Sequence, residues 1–70
     1  MKYVGINQVL KAAKNLDVKK VYIGKDAEEN VVDDLKKMCI KNNIEIIYID
    51  TMKELGKLAG IEVEAATAAE

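Results

Sequence analysis

The stretch IEIIYIDTMKELGKLAG, residues 44–60, decides the fold that the sequence predicts. Its first seven residues are almost continuously apolar and rich in β-branched side chains, which indicates a strand covered on both faces. Thr51 followed by Glu54 is a capping-box pattern, and Gly60 is a typical residue to end a helix. This stretch therefore predicts a strand followed directly by a capped helix.

The same unit recurs twice upstream. Residues 2–4 predict a short strand, and the apolar spacing over 6–16 predicts a helix. Residues 19–24 predict a buried strand, and a second helix follows, with Asp26 as its N-cap, Glu29 three residues later and Asn42 with Asn43 at its end. The tail, 61–70, begins as a loop and supplies a last strand. This alternation predicts one α/β domain over residues 1–70, a three-layer α/β/α sandwich around a small mixed sheet.

The composition excludes several classes of function. The chain of 70 residues has one Cys and no His, so it has neither an internal disulfide nor the usual zinc ligands. Because His is the commonest general base near neutral pH, its absence predicts a protein that is not an enzyme and needs no cofactor or metal. No signal peptide and no apolar run long enough for a membrane helix are visible, so we expect a cytoplasmic protein without membrane contact.

Charge is divided unevenly along the chain, although the net charge is −1. Residues 1–25 carry six lysines and one acid, a balance of +5, whereas residues 26–70 carry five lysines and eleven acids, a balance of −6. Such an asymmetry suggests a site for a polyanion at one end of the fold, or a chance scatter of surface charges. The acids of the second predicted helix are interpreted as a solvated face, and Cys39 as a small buried hydrophobe.

The first predicted helix, GINQVLKAAK at 5–14, has a polar face without acids. Asn7, Gln8, Lys11 and Lys14 share this broad face, and Gly5 lies where the helix begins. A helix N-terminus binds anions, amide side chains can contact base edges, and lysines can contact phosphates. Taken alone, the pattern fits both an ordinary solvated face and a nucleic-acid site.

Two motifs together are similar to the kink-turn-binding ribosomal proteins, the family of archaeal ribosomal protein L-seven-Ae and eukaryotic ribosomal protein L-thirty-e. The family's front motif, Gly–x–Asn–Gln/Glu–x–x–Lys, matches residues 5–11. Its back motif, Lys–x–Leu–Gly–x–x–x–Gly–Ile–Asp/Glu–Val, matches residues 53–63. The resemblance covers essentially the whole chain, which is shortened at both termini relative to the family: only four residues precede Gly5, and the chain stops where relatives continue the last strand.

The resemblance implies an RNA-binding protein that stabilises a sharply bent RNA, the kink-turn. In the family, the matches to Asn7 and Gln8 contact the guanines of tandem sheared G·A pairs, and the match to Lys11 contacts a guanine edge or phosphates. The loop that matches Gly60–Val63 packs on a base turned out of the bulge, with Ile61 and Val63 as the apolar surface and Glu62 within polar reach. The full set of implied or expected RNA-binding residues is Gly5, Asn7, Gln8, Lys11, Lys14, Lys25, Ile61, Glu62 and Val63; Asp26 matches a position near the RNA.

The resemblance and the aromatic residues also bear on the partners of the protein. The resemblance implies ribosomal RNA or a structured leader RNA and ribonucleoprotein partners. The shortened termini, in which the chain departs from the family, predict an exposed sheet and self-association through it. Tyr3 is the aromatic side chain best placed to contact RNA, whereas Tyr22 and Tyr48 lie within predicted strands and are interpreted as core residues. The alternative hypothesis is a protein–protein interaction module of a ribonucleoprotein, with the acidic helix 26–42 as its contact surface.

Overall fold

The structure, a computed structural model, describes all 70 residues and contains the predicted alternation of strands and helices. The elements, in chain order, are β1 (Tyr3–Val4), α1 (Ile6–Lys14), β2 (Lys20–Gly24), α2 (Glu29–Lys41), β3 (Glu45–Ile49), α3 (Met52–Ala59) and β4 (Thr67–Ala69). No helix has both the length and the apolar character that crossing a membrane requires.

The four strands form one mixed sheet in the order β1-β4-β2-β3. β2 and β3 are parallel, and β4 is antiparallel to both of its neighbours, β1 and β2. The strands β1, β2 and β3 therefore end at the same edge of the sheet, where β4 begins; we call this the carboxyl edge. All three helices begin at the carboxyl edge, because each follows one of these three strands.

The helices cover both faces of the sheet, which confirms the three-layer architecture. The larger buried cluster lies between one face and the helices α1 and α2, and it includes Val9, Leu35 and Ile23. The smaller cluster lies between the other face and α3, where Leu55 packs with Ala65 and Ala68. Consecutive residues of β4 contribute to opposite clusters, Ala68 to the smaller and Ala69 to the larger, as the two-residue period of a strand requires.

Helix α1 ends two residues earlier than its apolar spacing predicts. Leu16, predicted as the last apolar position of the helix, lies outside it with a φ of 55° and a side chain that is 66% exposed. The amides of Leu16 and Asp17 donate to Ala13 O and Ala12 O, which satisfies carbonyls that the helix end leaves free. The prediction for Leu16 was wrong because these bonds place it in the left-handed conformation usually taken by glycine.

The predicted N-cap of the second helix was also wrong. Helix α2 begins at Glu29 with Glu28 as its N-cap, and no side-chain capping hydrogen bond forms there. Asp26 instead accepts a hydrogen bond at Oδ1 from the amide of Met52, at 2.8 Å, so its carboxylate satisfies the first amide of α3. The predicted capping of α3 is confirmed: Thr51 Oγ1 accepts from the amide of Glu54, and Gly60 is left-handed with a φ of 79°.

Strand β3 is less buried than its apolar sequence suggests. It is an edge strand with no residue fully buried, but both of its faces are partly covered, since Ile46 packs against the larger cluster and Ile49 against the smaller one. Tyr48 is 48% exposed rather than a core residue, and Lys36 Nζ lies 5.7 Å from its ring centroid. Tyr22 is half-buried and donates its hydroxyl to Glu70 Oε1, as expected of a strand residue with its hydroxyl at the edge.

Candidate nucleic-acid interface

Helix α1 begins at Gly5, whose backbone conformation few other residues adopt. Gly5 has a φ of 96°, it caps the helix without a side-chain bond, and its carbonyl accepts from the amide of Val9. Helix geometry leaves the amides of Ile6, Asn7 and Gln8 without intrahelical acceptors. A Cβ atom added to Gly5 would meet nothing within 4 Å, so open space lies beside the start of the helix.

The polar residues of α1 are exposed, and three of them, Gln8, Lys11 and Lys14, divide between two grooves. Gln8 and Lys11 line a shallow groove together with Tyr3, Asn15 and Asp17, on the side of α1 away from α2. Asn7 is exposed in the first turn, next to Gln8.

Lys14 lies about 60° around the helix axis from Lys11, on the side that faces α2. It lines a second groove, between α1 and α2, with Leu10 on its own helix. The structure therefore separates Lys14 from Gln8 and Lys11, although the sequence places all of them on one broad face.

The segment 60–66 lies directly against the backbone of α3. The amides of Ile61 and Ala65 donate to Gly56 O and Met52 O, both at 3.0 Å. A Cβ atom on Gly56 would overlap the carbonyl oxygen of Val63, so this close approach requires glycine. Ile61 is half-buried against the cluster around Leu55, whereas Glu62 is exposed and Val63 is 69% exposed.

Backbone hydrogen bonds connect this segment to the end of β2, and the strand that follows it, β4, to the start of α1. The Gly5 amide donates to Thr67 O, and the Gly24 amide donates to Ala66 O, both at 3.0 Å. The segment 60–66 and the N-terminus of α1 therefore meet through β4 at the carboxyl edge. The two motifs of the sequence, 5–11 and 53–63, are joined in this way although 41 residues lie between them along the chain.

Lys25 and Asp26 lie in the loop that leaves the same edge after β2. The Lys25 amide donates to Ile49 O, and its ammonium lies 3.3 Å from Asp50 Oδ1 in an exposed ion pair. Exposed pairs of this kind are weak and exchange partners readily. Asp26 is engaged with α3, so its role in the structure is to position the third helix.

Tyr3 has a polar partner within the protein. Its hydroxyl donates to Asp17 Oδ2, and Lys2 Nζ lies 3.4 Å from Asp17 Oδ1. The hydrogen bond from Tyr3, supported by Lys2, lowers the pKa of Asp17, and the same bond raises the pKa of Tyr3. These contacts connect β1 to the residues just after α1, and they engage the Tyr3 hydroxyl as a donor within the protein.

Charge is distributed in space differently from along the sequence. The lysines of residues 1–25 lie at both ends of the strands, since Lys19 precedes β2 and Lys20 is its first residue, whereas Lys25 follows its last. Of the two interpretations of the charge asymmetry, a scatter of surface charges describes these lysines better than a concentration at one end of the fold. Helix α2 is also mixed: Asp33 and Asp34 lie in its first half, and three lysines follow, so the predicted acidic helix 26–42 is acidic only toward its start.

Three residues of this region make contacts that the sequence did not predict, although one of them, Gly56, belongs to the back motif. The Thr67 carbonyl accepts from the Gly5 amide, Gly56 permits the close contact with Val63, and the Met52 amide donates to the Asp26 carboxylate. Gly56 did leave a signal, because an isolated glycine inside a helical pattern usually has a packing reason. The bonds of Thr67 and Met52 use backbone atoms, which leave no trace in side-chain patterns. Cys39 is fully buried, as expected, and burial raises the pKa of its thiol.

Comparison with known proteins agrees with the resemblance stated above. Residues 3–70 match the profile of the Ribosomal protein L7Ae/L30e/S12e/Gadd45 family. A relative from Caldanaerobacter subterraneus subsp. tengcongensis, named an RNA-binding protein, is 58% identical over 67 residues, which are 96% of this chain and 82% of the relative. The large ribosomal subunit protein eL8 of Halobacterium salinarum is 33% identical over 66 residues, which are 93% of this chain and 55% of that protein.

The fold is also found among solved structures. The Giardia lamblia 15.5kD RNA binding protein superposes with a TM-score of 0.87 at 24% identity, over 94% of this chain and 56% of that structure. This similarity concerns the fold, including the sheet and the three helices described above. The match over residues 3–70 and the 58% identical relative show that the chain belongs to the ribosomal protein L7Ae/L30e/S12e/Gadd45 family.

Proposed function

We propose that this protein binds RNA and stabilises the kink-turn, a bent duplex with tandem sheared G·A pairs and a base turned out of its bulge. The observation that carries the proposal is the Gly5–Thr67 hydrogen bond, which joins the start of α1 to the strand that follows the segment 60–66. The exposed amides of Asn7 and Gln8 and the exposed apolar side chain of Val63 thereby belong to one connected region. Membership of the family and the names of the relatives support RNA as the partner.

The proposed contacts follow from the chemistry of the exposed groups. Asn7 and Gln8 each carry donors and an acceptor, which suit the edges of guanines in sheared pairs. A regular A-form helix has a major groove too narrow for such contacts, so they require the groove to be widened by the kink. Val63 and the half-buried Ile61 offer an apolar surface to the base outside the stack, with Glu62 beside it.

Stabilisation is proposed to be a shift of population, without catalysis. A free kink-turn exchanges between extended and bent forms, and a protein that binds the bent form alone pulls the equilibrium toward it. The proposed partners are cytoplasmic RNAs, either ribosomal RNA or structured leader RNAs. A ribosomal role is supported by the similarity to protein eL8, although this chain corresponds to 55% of that protein.

Titration of a labelled kink-turn RNA with the wild-type protein and two asparagine variants tests the proposal. Asn7→Ala is expected to lower affinity by roughly tenfold to a hundredfold, because one good base contact contributes about 1 to 3 kcal/mol. Asn30→Ala is the matched control, since Asn30 is an exposed asparagine in the first turn of α2. It is expected to bind like the wild type.

The RNA supplies the second control. Replacing the tandem G·A pairs by Watson–Crick pairs gives a straight duplex of the same charge, and we expect it to bind weakly to all three proteins. Equal affinity of the wild-type protein for the bent and the straight RNA would refute kink-turn recognition. Equal loss in the two asparagine variants would refute the assigned role of Asn7.

A further inference from the structure

The groove between α1 and α2 is the strongest unassigned feature of the molecule. Leu10 and Lys14 line it from α1, and Asp34, Lys37, Met38 and Lys41 line it from α2. Its apolar part is supplied by Leu10 and Met38, which are half-buried. Three ammonium groups and one carboxylate thus line the same groove, in a protein whose net charge is −1.

The lysines of the groove are not neutralised equally. Lys37 Nζ lies 3.0 Å from Asp33 Oδ2, one turn back on its own helix, and this contact raises the pKa of Lys37. Lys14 and Lys41 form no ion pair with an acidic side chain. Their charges are therefore available to an anion outside the protein.

The position of the groove relative to the proposed RNA site is set by α1. Asn7 and Lys14 are seven residues apart on this helix, a distance of about 10 Å along its axis. A helix docked in an RNA groove has a phosphate strand on each side. On one side, the groove around Gln8 has Lys11 and Asp17 with opposite charges, whereas on the other side lysines dominate.

We propose that the α1–α2 groove binds the phosphate backbone of one stem of the RNA, with Lys14 and Lys41 as the principal contacts and Lys37 as a weaker one. This inference rests on the proposed function, and it assigns Lys37 and Lys41 to a second contact surface outside the two sequence motifs. The charge of the groove complements phosphate. The acids at the start of α2 repel phosphate, so the RNA strand is confined to the second half of that helix.

The test is the salt dependence of kink-turn affinity in two double variants of equal net charge. Lys14→Gln with Lys41→Gln removes the free charges of the groove. Lys36→Gln with Lys57→Gln removes two exposed or half-exposed lysines that line neither groove. Each lost phosphate contact reduces the slope of log affinity against log salt by about 0.7 to 0.9, so the groove variant is expected to lose about 1.5 and the control well under half of that.

The outcomes separate this inference from the proposed function. Equal slopes in the two double variants would overturn the groove as a site, because only net charge would then matter. An unchanged slope in the groove variant, with binding that still depends on Asn7, would overturn the groove contact alone and leave an acidic protein segment as its remaining occupant. Failure of the wild type to distinguish kinked from straight RNA would overturn the proposed function, and this inference with it.

Discussion

Gly56→Ala tests the close packing of the segment 60–66 on α3. In an isolated helix this substitution is stabilising by about 1 kcal/mol, because alanine has the best helix propensity and glycine among the worst. In this protein the added Cβ would overlap Val63 O and lie 3.1 Å from both the Val63 carbonyl carbon and Glu64 Cα. All three are backbone atoms, so no side-chain rotation can relieve the contact, and the segment has to move by about 1 Å.

The expected magnitude combines opposing terms. Overpacking costs about 1 to 3 kcal/mol. If the segment moves away and relieves the overlap, the hydrogen bonds from the Ile61 and Ala65 amides to α3 weaken, and each lost bond costs about 1 kcal/mol of stability. Set against the gain in propensity, the expected net loss is about 1 to 2 kcal/mol of the free energy of unfolding. That is a large fraction of the roughly 4 to 10 kcal/mol typical of a chain this long.

Urea denaturation followed by circular dichroism measures this loss, and Lys57→Ala is the helix control. Lys57 is exposed on the same helix, so its replacement is expected to change stability by less than about 0.5 kcal/mol. We also expect Gly56→Ala to weaken kink-turn binding, since Ile61 and Val63 belong to the displaced segment. A Gly56→Ala protein as stable as the wild type, or more stable, would refute the packing argument and leave helix propensity as the dominant effect.

Three further predictions concern stability. Thr67→Val is expected to stabilise the fold by about 1 kcal/mol in urea denaturation, because Thr67 Oγ1 is buried without a hydrogen-bond partner; a loss of stability would contradict this. Leu16→Gly is expected to stabilise it by about 1 kcal/mol in the same assay, because glycine adopts the left-handed conformation without strain; no gain would mean that the Leu16 side chain offsets the strain. The hydrogen bond between Tyr3 and Asp17 lowers the pKa of Asp17 and raises that of Tyr3, so its contribution is complete between about pH 4 and pH 10, the unfolded values. This contribution is lost as pH falls through the folded pKa of Asp17 or rises through the folded pKa of Tyr3. In thermal melts, the midpoint temperatures of the wild type and Tyr3→Phe should therefore differ most within this window. A difference that stays constant at all pH values would exclude this linkage.

The sequence predicted the elements whose signals are local. The β-branched run at 44–50, the Thr51–Glu54 capping pattern and the left-handed Gly60 each depend on a few neighbouring residues, and each gave the correct element. The predictions for Asp26 and Tyr48 were wrong because their environments come from distant parts of the chain. Asp26 caps a helix that begins 26 residues later, and the burial of Tyr48 depends on β3 lying at the edge of the sheet.

In the candidate site, too, local features were predicted correctly and features that depend on distant packing were not. Helical spacing correctly predicted that Asn7, Gln8, Lys11 and Lys14 are exposed on α1. Spacing alone could not assign Lys11 and Lys14 to different grooves, because the directions of their side chains differ by only about 60° around the helix axis. The position of α2 makes the division, and it follows from packing in the core. The assigned contacts with RNA remain predictions from the resemblance, tested by the experiments above.

The low net charge bears on how such a protein would select its RNA. Non-specific affinity for RNA comes mainly from cations that displace counterions from phosphates, and here eleven lysines are outnumbered by twelve acids, with no arginine. Several lysines are further compensated by pairs such as Lys25–Asp50 and Lys37–Asp33. Under the proposed function, straight duplexes gain little from the net charge of this surface. The difference in affinity between bent and straight RNA would then come from groups that contact the bent RNA alone, so weak overall charge favours selectivity for RNA shape.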